Sequence, residues 1–118
     1  MRRITLIITL ALAFAMTVTG QDNYYQKKAQ DYQREAEYYQ KKADGYRRQA
    51  EYYFKQAAGY EREAAYYLKK GDASRAAAQQ RYARDANDGA ATQLRYAREA
   101  DDKAAMYLRW AADALGRM

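Results

Sequence analysis

The side chains best placed to do chemistry in this sequence are aromatic. Fourteen tyrosines and one tryptophan, Trp110, stand among interspersed charges, beside no histidine, no cysteine and a single serine, Ser74. A tyrosine on an exposed face can stack on a sugar, cross-link oxidatively or relay charge, and at an interface it buries area while keeping a polar tip. Other chemistries are closed off. Without histidine or cysteine, no Ser–His or Cys–His nucleophile can be assembled. Zinc sites draw on the same two residue types. The carboxylate pairs Asp101-Asp102 and Glu35/Glu37 have no ligand-loop setting of the calcium kind, and no glycine-rich phosphate loop occurs. The residues therefore predict no catalytic, metal or cofactor-binding site, and a protein that is not an enzyme.

The spacing of the aromatics points to what must position them. Residues Tyr24–Ala65 write one fourteen-residue unit three times, as YYQKKAQDYQREAE, YYQKKADGYRRQAE and YYFKQAAGYEREAA. Each unit splits into two sevens. Tyrosines fall at Tyr25, Tyr32, Tyr39, Tyr46, Tyr53, Tyr60 and Tyr67. Each is followed after four residues by Ala29, Ala36, Ala43, Ala50, Ala57, Ala64 and Gly71. This alternation of fours and threes is a heptad seam, with alanine at a and tyrosine at d. Period-two alternation, the mark of a strand, is not visible. A second set, Tyr24, Tyr38, Tyr52 and Tyr66, recurs every fourteen residues. Each lies beside a d residue, so on a helix it points about 100° away from the seam. One partner helix cannot cover both sets, and the second is the expected assembly interface.

Glycines and charges punctuate the chain. Gly45 and Gly59 occupy the same place in successive repeats, each at a cost of about 1 kcal/mol in a helix interior. Their common phase predicts a close approach by another backbone or a tyrosine ring. Lys69-Lys70-Gly71-Asp72-Ala73-Ser74 reads as a helix stop and restart. The lysines suit a helix C-terminus, Gly71 a left-handed cap, and Asp72 or Ser74 the next N-cap. The repeat register also breaks here. Tyr-x-Arg-Glu/Gln-Ala starts at Tyr32, Tyr46 and Tyr60, and its next good copies begin at Tyr82, Tyr96 and Trp110 rather than at Ser74. An antiparallel hairpin follows, the alternative being one continuous helix with a stutter.

The return segment carries an alanine stripe, Ala76, Ala83, Ala90, Ala97, Ala104 and Ala111. Alanine lets helix axes approach toward the short end of the usual 8–10 Å range. The expected intrahairpin seam thus sets the d tyrosines against Ala83, Ala90, Ala97, Ala104 and Trp110. Arg81/Asp85, Arg95/Glu99 and Arg109/Asp113 are expected as solvated i,i+4 pairs.

The chain opens on Met1-Arg2-Arg3 and an apolar run, Ile4–Val18. At about fifteen residues the run is short for a membrane span, which needs about twenty. It fits a secretory signal peptide over residues 1–20, cleaved after Gly20 or, second, after Ala15; an uncleaved signal anchor is the alternative. No stable membrane span is expected in the mature chain. Removing residues 1–20 takes Lys and Arg from 21 to 19, against 15 acids, for a net charge of +4. That modest charge, with acids in every repeat, does not suit nucleic acid. Only seven Leu, Ile, Val, Met or Phe residues follow Gln21, too few for an ordinary core. Without disulfides, helix packing or assembly must stabilise the chain.

The alanine heptads of residues 74–115, behind a signal-like start, broadly resemble the alanine-zipper coiled coils of bacterial envelopes such as murein lipoproteins. The likeness is to a composition and a period. The lipid-bearing cysteine of that family is absent, the chain ends Gly116-Arg117-Met118 rather than in the attachment lysine, and no functional residue carries over.

The expected architecture is all-α, a long antiparallel helical hairpin: signal peptide 1–20, tyrosine repeat helix 21–70, turn 71–73 and alanine-rich return helix 74–118. The expected function is a secreted structural subunit that assembles with itself into an extracellular filament or bundle. The rival is a periplasmic or cell-surface spacer that binds an envelope or matrix glycan or a partner protein.

Overall fold

The computed structural model describes residues 20–118, so residues 1–19 of the expected signal peptide, with the second cleavage site after Ala15, lie outside the described residues, and the first site, after Gly20, falls at the start of the first helix. Two helices make up the described chain: α1, Gly20–Lys69, and α2, Ala73–Gly116. Proline is absent from the sequence, and the glycines inside both helices keep negative φ, so nothing interrupts either. Among the described residues no helix is long and apolar enough to cross a membrane.

The connection is built from three residues. Gly71 takes φ of 80°, the left-handed conformation that a Cβ would strain. Its N–H donates to the Leu68 carbonyl at 3.1 Å and the Asp72 N–H to the Tyr67 carbonyl at 2.9 Å, the paired bonds of a Schellman cap. Asp72 then starts the next helix. Its Oδ1 accepts the Arg75 N–H at 3.1 Å, and its carbonyl accepts the first helical bond from Ala76 at 3.1 Å. Ser74 is exposed within the first turn of α2 and leaves the cap to Asp72.

The chain divides into two compact units: Lys42–Glu99, and the residues up to Lys41 together with Ala100–Met118. Lys42–Glu99 is a helical hairpin around the turn. Its core is Ala43, Ala50, Ala57 and Ala64 of α1 with Ala76, Ala83, Ala86, Ala90 and Ala97 of α2, all buried. In the other unit Ala29 packs with Ala111 and Ala114, and Ala36 with Ala104 and Leu108. Alanine contributes little area, at roughly 0.8 kcal/mol per buried carbon. Among the described residues no large side chain is fully buried, so the aromatic rings along the seam must supply much of the contact.

Two expectations about this core need correction. The d tyrosines are not in the seam's centre: all seven are half-buried, standing at its edge beside the alanines. Helices packed on alanine leave no room between them for a phenol. Gly45 and Gly59 have no close neighbour either. A Cβ on Gly45 would meet nothing within 4 Å, and one on Gly59 only the tip of Arg62 at 3.9 Å. The ring-on-glycine contact exists in the opposite helix, where Tyr53 lies 3.3 Å from the position a Gly89 Cβ would take.

Candidate functional site: the aromatic faces

Within Lys42–Glu99, each d tyrosine of α1 faces one residue of a heptad series on α2. Tyr67 lies under the Arg75 guanidinium at 5.7 Å, and Tyr60 meets Tyr82 with ring centroids 5.5 Å apart. Tyr53 rests on Gly89, and Tyr46 meets Tyr96 at 5.4 Å. Seven residues back along α1 match seven residues forward along α2. The same rule operates inside the other unit. Lys103 Nζ sits 5.2 Å from the Tyr39 ring, and Trp110 meets Tyr32 edge-on at 5.6 Å. Partners therefore alternate between an aromatic ring and a cation or glycine. Tilted and edge-on ring pairs of this kind contribute about 0.5–1.5 kcal/mol beyond their area.

Tyr107 anchors the largest ring cluster. It stacks on Tyr39 at 5.8 Å with planes 9° apart and meets Trp110 edge-on at 5.3 Å and Tyr32 at 6.2 Å. Burial, then the neighbouring Tyr39, Glu35 and Tyr32, push its phenol above its ordinary value. Trp110, expected in the seam, instead keeps 43% of its surface exposed and covers the flank of this cluster.

The second tyrosine set faces outward. Tyr24, Tyr38, Tyr52 and Tyr66 are 56%, 53%, 56% and 50% exposed. None dangles. Each ring rests against the d tyrosine beside it, at 5.2 Å for Tyr24–Tyr25 and Tyr38–Tyr39, 6.1 Å for Tyr52–Tyr53 and 5.4 Å for Tyr66–Tyr67. Lys70 caps the Tyr66 ring at 4.9 Å, Lys28 the Tyr24 ring at 5.5 Å, and Gln56 Nε2 donates to the Tyr52 hydroxyl at 3.1 Å. The rings are pre-set, so an arriving partner has little side-chain freedom left to quench. Beside Tyr46 and Tyr53, Gly45 floors an open groove that Lys42, Gln49 and Gln93 help to line.

Sequence reasoning missed three features. Tyr82 and Tyr96 mark the repeat in the sequence, but their role as ring partners of Tyr60 and Tyr46 emerges only from an antiparallel count from the turn. Gln26 and Gln33 are buried beside the alanine stripe, and the side-chain nitrogens of Gln33 and Gln40 make no hydrogen bond. Their spacing of seven in Gln26, Gln33 and Gln40 was the available signal. Arg95, expected to pair with Glu99, lies over the Tyr96 ring at 5.5 Å. Ion pairs form instead at Asp31–Arg34, Asp44–Arg47, Glu51–Lys55 and Asp72–Arg75.

In the unit of residues up to Lys41 with Ala100–Met118, α1 and α2 border an open cleft of about 520 Å³. Tyr24, Tyr25, Tyr32 and Trp110 give it aromatic walls, and Lys28, Asp113 and Arg117 give it charge. Among the described residues no cluster of acids suits a metal ion. No protein-family model, curated protein or solved structure matches the chain.

Proposed function

We propose that this chain is a secreted structural protein whose helical subunits associate with one another through their tyrosine faces into a filament or bundle. One observation carries the reading: four half-exposed, locally braced tyrosines recur at fourteen-residue steps on a helix whose seam is already filled by α2. Burying the exposed half of one such ring removes about 100 Å² from water, worth at most roughly 2.5 kcal/mol. Four together are ample to drive association once ordering costs are met.

The glycines support the same reading. Gly45 and Gly59 weaken α1 by about 1 kcal/mol each and contact no ring of their own chain. A groove such as that at Gly45, with Tyr52 beside it, offers a seat for a tyrosine of a second copy. Knobs and seats share the fourteen-residue period, so a second copy shifted by one repeat meets the same residues. Secretion rests on the signal-like residues 1–20 alone.

The test is electron microscopy and sedimentation of the chain from Gln21 onward, beside a variant with Tyr24, Tyr38, Tyr52 and Tyr66 all changed to Ser. Filaments or discrete bundles in the parent, lost in the variant at unchanged helicity, are expected. A parent that stays monomeric and folded at high concentration refutes self-assembly. The second reading, a surface module that grips a ligand, is favoured by the aromatic cleft that Tyr24, Tyr32 and Trp110 help to line.

A further inference from the structure

We propose that the cleft formed by Tyr25, Tyr32 and Trp110 with Lys28, Asp113 and Arg117 binds a carboxylated sugar, as a residue of an acidic polysaccharide. The cleft shares only Tyr24 with the outward tyrosine set, and the inference is argued from its other lining residues, so it can fail or hold apart from self-assembly. Its volume, about 520 Å³, lies in the range of small-molecule sites, and its mouth is open enough to admit one unit of a longer polymer.

The lining selects the class. Sugar rings present C–H faces that pack on aromatic rings, and their hydroxyls hydrogen-bond to polar side chains, most strongly to charged ones. Trp110 and Tyr32, edge-on at 5.6 Å, give the cleft two ring surfaces at a fixed angle. Trp110 is held from behind by Tyr107 at 5.3 Å, so its orientation does not depend on a ligand. Asp113 can accept hydrogen bonds from hydroxyls, and the Arg117 guanidinium can take a carboxylate in two parallel bonds.

Charge decides between an acidic sugar and a cation. Aromatic cages bind cations when their rings are vacant. Here Lys28 already lies 5.5 Å from the Tyr24 ring centroid. The Tyr24 phenol first, and Tyr32 after it, hold the Lys28 ammonium above its ordinary pKa, so it stays charged. Lys28 and Arg117 against Asp113 leave one positive charge in excess among the lining residues. A neutral sugar would leave that charge unmatched; a uronate would meet it.

Trp110 is the only tryptophan in the chain, so its fluorescence reports on this cleft alone. The full chain is titrated with trigalacturonate, with the neutral trisaccharide cellotriose, with acetate and with benzoate. Saturable change of Trp110 emission by trigalacturonate is expected, at least tenfold tighter than by cellotriose and weakened by salt. Acetate should be silent. Arg117→Gln and Lys28→Gln should each weaken binding about threefold to tenfold with unchanged helicity, and Trp110→Leu should abolish it when followed by calorimetry. No response to trigalacturonate overturns the proposal. So does equal binding of cellotriose, tighter binding of benzoate, or affinity indifferent to both charge-removing variants.

Discussion

Gly89→Ala and Gly45→Ala are the same chemical change in the interior of a helix, yet the packing predicts different outcomes. In an exposed helical setting, alanine gains roughly 0.8–1.0 kcal/mol over glycine through lost unfolded-state freedom and better propensity. Gly45 should show that gain in full, since a Cβ there meets nothing within 4 Å. At Gly89 the new carbon would sit 3.3 Å from Cδ1 and Cε1 of Tyr53 and 3.4 Å from Cγ. Ordinary carbon contacts are about 3.5–4.0 Å, so the ring must move a few tenths of an ångström. Tyr53 is half-buried and can tilt, at a cost of roughly 0.5–1.5 kcal/mol for leaving its rotamer minimum. The propensity gain and the crowding nearly cancel. Gly89→Ala should therefore fall about 0.5–1.5 kcal/mol short of Gly45→Ala. At about 4–8 °C per kcal/mol for a chain of this size, the two variants separate clearly in melts followed by helical circular dichroism. The melts are run at low concentration, where association does not shift Tm. Tyr53→Leu supplies the control: without the ring, Gly89→Ala should recover most of the missing stabilisation. If Gly89→Ala raises Tm as much as Gly45→Ala in the parent background, Tyr53 does not pack on Gly89 and the deduced pairing of the helices is wrong.

Gln33→Leu should stabilise the fold by about 1–2 kcal/mol in denaturant titrations, because it removes a buried amide nitrogen that has no hydrogen-bond partner. A loss of stability would show that the amide is satisfied in solution. Tyr107 holds its proton more tightly when folded than when unfolded, so its contribution is complete below about pH 10 and declines as pH rises through its elevated folded value. Tyr107→Phe should flatten that alkaline decline; a decline equally steep in the variant would place its origin elsewhere. Asp72→Ala removes the N-cap of α2 and should cost about 1 kcal/mol, with Ser74→Ala near neutral, both read from chemical denaturation. Equal losses would give Ser74 a share of the cap.

The helices and the turn could be read because each rests on local physics. Heptad spacing, the absence of proline and the Gly71-Asp72 cap act within a few residues of themselves. What escaped was set by the distance between helices. Ala36 against Ala104 brings the backbones so close that Tyr39 cannot enter between them, and it turns to the flank to stack on Tyr107. The letters a and d cannot convey that, since they name spacing and not depth. Gln33 shows the converse. Its polar type suggests the solvent face, but its place one residue beyond Tyr32 carries it under the partner helix. The outward tyrosines were legible because their argument needs only the angle between adjacent residues on one helix.

The pairing of the helices raises a question of register that the turn must answer. A tyrosine recurs every seven residues along the d stripe of α1, so that stripe alone treats every sevenfold slip alike. The facing series on α2 discriminates further, because Arg75, Gly89 and Lys103 alternate with Tyr82, Tyr96 and Trp110. A slip of seven puts tyrosines that now meet rings against cations or glycine, yet a slip of fourteen restores the pattern. Side-chain packing thus leaves slips of fourteen nearly equal in energy, and specificity must come from elsewhere. Within one chain it comes from the three-residue connection, which is too short to allow another pairing. Between chains no such connection exists. The ambiguity that the cap at Gly71 and Asp72 suppresses inside a molecule is then available for stacking molecules at fourteen-residue offsets. Tyr24, Tyr38, Tyr52 and Tyr66 carry the same fourteen-residue period on the outer face of α1, so under the proposed self-assembly each such offset would present the same rings.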